Sequence, residues 1–283
     1  MSAVDDGLFG PDSVTWRVHA DPVLWIGGLR SLLLQALHPV AMAGVAQHSA
    51  FRRDAWGRLL RTARYVGTVT YGTTADAAAA GAGVRRVHRD LAGIETGSGR
   101  HYTVEDTDLL RWVHCCLVDS FLSTYQRSGG GLDETQCDQY VAEQSRLAPL
   151  VGLAAHDVPT SVTGLADYFS DVRPELRASP DAFVAARLVV WPPIPTRFLL
   201  LTPARPTWTA IGALAFASLP RWARQLYRMP GFAMTDVAAT IGLRTLAPVL
   251  HRLPPAYREG PHLRAAKERL ASMPRRHLHA VQA

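Results

Sequence analysis

The chain is poor in cysteine, nearly devoid of lysine and without a long apolar run. It has three cysteines in 283 residues, Cys115, Cys116 and Cys137. An odd number cannot all pair, and the adjacent two have neither disulfide geometry nor the spacing of a zinc site. They read as reduced helix residues. Of the 30 basic residues only Lys267 is lysine, a bias that carries no mechanism by itself. The longest apolar stretch, in WTAIGALAFASL (208–219), falls short of the roughly 20 residues that cross a bilayer. No HExxH, CxxC or GxSxG occurs, which argues against zinc-dependent and serine-nucleophile chemistry. Cys137, in ETQCDQY, lacks the glycine flanks of a haem-thiolate ligand loop.

The N-terminus MSAVDDGLFGPDS is acidic and has no basic region followed by an apolar stretch, so no secretory signal is read there and a cytoplasmic address is expected. No Gly/Ser linker divides the chain. With 48% apolar residues, the expectation is one helical domain over 13–272, with flexible ends at 1–12 and 273–283. Charge is unevenly placed: residues 173–283 hold 16 basic and 5 acidic side chains, a balance of +11, whereas 1–172 are at −5, giving the net +6. The arginines are scattered without aromatic interleaving, so the basic half reads as a solvated surface and no nucleic-acid partner is expected. Peripheral contact with an anionic membrane stays open.

Helical periodicity dominates. WIGGLRSLLLQALHP (25–39) puts Leu29, Leu32, Leu33, Ala36 and Leu37 on one stripe and meets Pro39, where a helix stops or kinks. A second helix is predicted from Trp56 to Tyr71, and a third from an N-cap at Thr74 to Gly93. IETGSGRHY (94–102) reads as a Gly-rich loop. TVEDTDLLRWVHCCLVDSFLSTYQ then starts a long helix, with Thr103 and Asp106 spaced as a capping box and a stripe of Leu109, Leu110, Val113, Leu117, Phe121 and Tyr125. Asp133 and Ser179 read as the caps of two more helices. WPPIPTRFLLLTPARP (191–206) is too proline-rich for helix and reads as an extended connection. Further helices are expected near 207–218, 220–228, 235–247 and 261–272, giving an all-α fold of about ten helices.

His88 sits in VRRVHRDLAG with Val84 one turn before and Leu91 and Ala92 one turn after, so it faces the core. By pattern alone such an imidazole is more often structural than a ligand. His114, between Leu110, Leu117 and Val118, repeats the situation, and two inward imidazoles call for polar partners such as a metal or a haem. In GRLLRTARY, Arg58 and Thr62 are one turn apart and project together, with Arg61 and Tyr65 offset on an adjoining face. That pair suits an anion, a propionate or an oxygen species, and a plain basic helix face is the alternative. His38 and His48, ten residues apart, lie near a helix end and a following loop.

Taken together, WIGGLRSLLLQALHPVAMAGVAQHSAF, RLLRTARYVGTVTYG, VRRVHRDLAG, YTVEDTDLLRWVHCCLVDSFLSTY and the tail RLPPAYREGPHLRAAKERL resemble the oxygenase family of the latex-clearing rubber oxygenases and the fungal mycophenolic-acid side-chain-cleaving enzyme. The resemblance spans most of 13–270. It implies a haem b enzyme with a globin-like helical core, His88 as the axial iron ligand, and Arg58 and Thr62 on the distal side. Two departures stand out. Arg61 occupies the place of a lysine that can reach the iron in rubber oxygenases, and arginine is a poor ligand. The catalytic glutamate upstream of the Arg is absent, leaving Gln47 and His48 as nearby polar candidates and His48 or His114 for the base role.

The implied function is a haem-dependent oxidoreductase using dioxygen or a peroxide on a small apolar substrate, isoprenoid or another secondary metabolite, by oxidative cleavage, hydroxylation or desaturation. The missing leader and the shorter chain point to an intracellular small molecule over a polymer. A bis-His haem sensor or carrier, with His88 and His114 both on the iron, and a metal-free lipid-binding helical protein remain the alternatives.

Overall fold

The computed structural model describes residues 5–192 and 204–272. The fold is predominantly α-helical, as expected. In chain order the helices are α1 (Val14–His19), α2 (Leu24–Gln35), α3 (Pro39–His48), α4 (Ala55–Tyr71) and α5 (Thr74–His88). A hairpin of β1 (Ala92–Glu95) and β2 (Arg100–Thr103) follows, then α6 (Thr107–Arg127), α7 (Glu134–Gln144), α8 (Ala148–Val151), α9 (Val162–Val172) and α10 (Pro180–Val190). The last helices are α11 (Ala204–Ala217), α12 (Arg221–Leu226), α13 (Ala233–His251), α14 (Pro255–Arg258) and α15 (Pro261–Ala271). The helices beyond the expected ten are α1, α3, α8, α9 and α14, most of them too short for an apolar period to register.

The core is built on α2 against α6. Of the stripe read from the sequence, Leu29 and Leu33 on α2 and Ala36 and Leu37 just past its end are buried, while Leu32 is half-buried. Gly27 makes the crossing close, because a Cβ there would stand 3.0 Å from the Phe121 ring and 3.2 Å from the Ser120 carbonyl oxygen. Trp112 is fully buried and donates its indole N–H to the Gln35 carbonyl at 2.9 Å, tying α6 to the end of α2. Buried Arg30 crosses the same seam. It donates to the Asp119 carboxylate and the Ser120 hydroxyl, both at 2.7 Å, and to the Ser218 carbonyl beyond α11. Such a pair holds position because removing either partner would strand a charge.

Several boundaries differ from expectation, each for a local reason. The helix read as 25–39 ends at Gln35, and Pro39 opens α3 instead of ending α2. Proline suits a first helical position, where its missing N–H would be unpaired anyway. The His38 imidazole accepts from the Ala41 N–H as the cap of α3, which bends 103° from α2. No single helix among the described residues is long and apolar enough to cross a membrane. The cap of α5 is Thr73, one residue before the expected Thr74, in a capping box with Asp76. α5 also stops at His88, five residues early, since the chain turns through Asp90 at φ 64°.

The Gly-rich loop at 94–102 is a hairpin, in register Ala92 with Thr103 and Glu95 with Arg100. Its turn is organised by Glu95, which accepts from the Gly97 and Ser98 amides, the Ser98 hydroxyl and Arg177. Burial pushes that carboxyl up, but those bonds outweigh it and hold its pKa down at about 2. The GxG therefore serves a turn. Thr103 and Asp106 do bond to each other, but α6 begins only at Thr107, so they form a loop closure and not a helix-capping box. Asp133 and Ser179 cap α7 and α10 as read. Of the proline-rich connection, residues 193–203 lie outside the described residues, and its last residues open α11.

Gly27→Val should force α2 and α6 apart and lower stability by about 2 kcal/mol, within the usual range for overpacking a tight core. Urea unfolding would check this, and an unchanged midpoint would mean the crossing relaxes freely.

Candidate functional site

α4 carries the residues that the sequence singles out, and it touches the core at its two ends. Trp56 packs edge-on against Trp208 of α11 at 4.5 Å. At the other end Val69, Thr70 and Tyr71 are buried, Tyr71 against Trp16 at 4.8 Å, and α15 closes on Gly67 through His262. Between these anchors no residue of α4 is buried, although Leu59 and Val66 face the core and pack partly against it.

Arg58, Thr62 and Tyr65 fall on one face of this middle segment by helical spacing. Arg58 is half-buried, and burial, then the neighbouring Arg61, lowers its pKa. The Thr62 hydroxyl donates to the Arg58 carbonyl at 3.1 Å, so its lone pairs stay free to accept. Tyr65, read from the sequence as lying on an adjoining face with Arg61, instead has its hydroxyl buried without a hydrogen bond, and burial raises its pKa to about 12. Arg61 is turned to solvent, 67% exposed, and pairs with Asp54 at 3.0 Å, the residue that also caps α4. The structure thus separates Arg61 from Arg58 and Thr62.

His88 is the last residue of α5, so Leu91 and Ala92 do not follow it on the same helix as the periodicity implied. It is half-buried, neither ring nitrogen makes a hydrogen bond among the described residues, and Nδ1 is wholly shielded from solvent. Burial lowers its pKa first, Glu105 in the loop after β2 works against that, and the Arg58 charge lowers it further. α4 and α5 pack against each other, and the Arg58 charge is felt at His88. A neutral imidazole that bonds to nothing has its lone pair available. Leaving such atoms without a partner costs about 1–3 kcal/mol each, so the His88 Nδ1 and Tyr65 hydroxyl mark a place where partners are missing.

The other inward imidazole is carried by α6. Val113 and Leu117, one turn apart, are only half-buried in a helix whose adjoining Trp112, Cys115, Cys116 and Val118 are buried. His114 lies between them, buried and without a hydrogen bond, and burial lowers its pKa to about 4. Two other candidates are placed elsewhere. His48 is exposed at the end of α3, edge-on to Tyr102 at 6.3 Å. Gln47 is taken up by the hairpin, donating to the Ile94 carbonyl and accepting from the Tyr102 hydroxyl, both at 2.9 Å.

Tyr65 and Glu105 carry weight that the sequence did not show. Tyr65 shares the 58–62 face, which spacing could have revealed. Glu105 acts on the His88 pKa from the loop after the hairpin, next to Val104, whose amide bonds the Leu91 carbonyl.

Among the described residues no group of three or more His, Cys, Asp or Glu side chains could hold a bare metal ion. An iron held in a porphyrin needs a single axial protein donor. The unbonded, neutral His88 imidazole fits that requirement. In comparison with known proteins, residues 16–252 match the family described as ER-bound oxygenase mpaB/B'/Rubber oxygenase, catalytic domain. No curated protein and no solved structure matches the chain.

The depressed histidines make stability fall in acid. His19 and His114 titrate at about 3 and about 4 in the folded state, pushed down by burial, against about 6.5 when unfolded. Between those values the unfolded chain binds protons that the folded chain refuses, so stability drops as pH falls from about 6.5 toward 4. His114→Leu should flatten that fall in pH-dependent urea titrations, and an equally steep profile in the variant would show that His114 is not part of it.

Proposed function

The chain belongs to the family of mpaB and rubber oxygenase catalytic domains, and from that membership we propose a haem b-dependent oxygenase of a small apolar substrate, with His88 as axial ligand. The observation that carries this reading is the state of His88: neutral, unbonded and with one nitrogen shielded from solvent. Bound haem would supply an iron able to activate dioxygen or a peroxide. The protein supplies the rest.

Arg58 remains protonated despite its lowered pKa, because a guanidinium ordinarily titrates above 12. It offers fixed donors to a propionate or to a polar oxygen. Thr62 can accept a bond at the same face, and the Tyr65 hydroxyl keeps its proton at neutral pH and can donate it in a hydrogen bond. His114 is neutral at working pH with its lone pair free, although burial, which lowers its pKa to about 4, makes it a weak base in the place of the family's missing glutamate. Leu59, Val66, Val113 and Leu117 are the half-buried apolar side chains that would surround an isoprenoid-like or other secondary-metabolite substrate and keep water out. The reaction class is oxidation of the substrate, by oxygen insertion in cleavage or hydroxylation or by hydrogen removal in desaturation, depending on how a base such as His114 meets the substrate.

The absorption spectrum of the purified protein tests the cofactor. A Soret band is expected, together with a shift when the reduced protein meets carbon monoxide. No Soret band even after haem supplementation sinks the proposal, and a reduced spectrum indifferent to carbon monoxide replaces it with bis-His ligation by His88 and His114. His88→Ala should lose the band while its far-ultraviolet helical signal persists, and haem retained by that variant would refute the ligand assignment. Arg58→Leu should keep the band but shift the C–O stretch of the carbon monoxide adduct, since a fixed positive charge near the bound gas is removed.

A further inference from the structure

α13 is apolar on two faces. One is spent on the core: Ala239, Leu243 and Ala247 are buried, and Gly242 lies close against Leu214 of α11. The other faces solvent. Met234, Val237, Ile241 and Val249 recur at helical spacing and are 77%, 53%, 60% and 53% exposed, with Phe232 just before the helix and Leu253 just after it adding to the stripe. A surface helix ordinarily turns a polar face outward, and a stripe of this length left to water marks a contact with something apolar.

The charge beside it is of one sign. Residues 221–264 hold seven arginines and two acidic residues. Both acids are already used: Asp236 pairs with Arg221 and Arg224 at 2.7 and 2.8 Å, and Glu259 pairs with Lys267 at 2.8 Å. Arg244 on the helix and Arg252 at its C-cap are exposed, and neither forms an ion pair among the described residues. Tyr257, 81% exposed, follows on α14, an aromatic of the kind that settles where apolar and aqueous layers meet.

We propose that α13 is a membrane-docking face, which lies in the interface of an anionic bilayer with Met234, Val237 and Ile241 toward the acyl chains and Arg244 and Arg252 on the headgroup phosphates. An apolar stripe flanked by arginines, on a helix that does not span, is the pattern of interfacial helices. The unpaired arginines favour an anionic lipid surface over a second copy of this chain, which would bring like charges together. The inference does not depend on the haem.

Sedimentation of the full chain with vesicles tests it. Binding is expected to vesicles of phosphatidylcholine with phosphatidylglycerol, to be weaker on phosphatidylcholine alone, and to decline with salt. Met234→Asp with Ile241→Asp should weaken binding roughly tenfold or more while leaving the unfolding midpoint unchanged, because both side chains are exposed. Arg244→Glu with Arg252→Glu should abolish the preference for the anionic vesicles. The proposal is overturned by absent vesicle binding, by undiminished binding of the aspartate variant, or by a dimer of the native chain that this variant dissolves.

Discussion

The close crossing of α2 and α6 is the constraint on which the remaining arrangement depends. It exists because Gly27 offers no Cβ to the Phe121 ring and the Ser120 carbonyl. Trp112 and Arg30 then fasten the crossing with directional bonds from buried side chains. Apolar burial supplies the bulk of the stabilisation, and the polar bonds select one register, since a shifted α6 would leave a buried guanidinium without its acceptors.

With that pair in place, α4 is held as a beam fixed at both ends. Trp56 on Trp208 and Tyr71 on Trp16 set its position, and between them Leu59 and Val66 pack half-buried at the edge of the core. The candidate residues are a guanidinium and two hydroxyls on α4, one imidazole at the end of α5 and another on α6, each at least partly shielded from water. Desolvation sets their protonation. It keeps His88 and His114 uncharged and the Tyr65 hydroxyl protonated, which are the states needed for a donor lone pair, a proton acceptor and a hydrogen-bond donor.

Much of this was legible in the sequence. The stripes of α2 and α6 turned inward, with Leu32, Val113 and Leu117 only half-buried, Asp133 and Ser179 became caps, and the ordered blocks from WIGGLR to RWVH placed the chain in its oxygenase family, which the match over 16–252 bears out. The failures came where a short-range signal had two meanings. Pro39 serves as readily to begin a helix as to end one, and the choice fell to the bend that folds α3 back. The glycines of IETGSGRHY suit a loop or a tight hairpin alike, and the Glu95 carboxylate, with Arg177 from a distant segment, settled it.

Helical period, caps and family membership are local properties of the chain, set by side-chain spacing and by bonds between residues three or four apart, so the sequence alone determined them. Which polar groups end up without partners is a different kind of property. Arg61 and Arg58 are three residues apart with the same side chain, yet one reaches Asp54 in water and the other lies half-buried with its charge felt at His88. Glu105 acts on His88 from the loop after a hairpin that returns the chain on itself. Water is excluded by the sum of all surrounding elements, and for that reason only the tertiary structure decided which side chains are left poised.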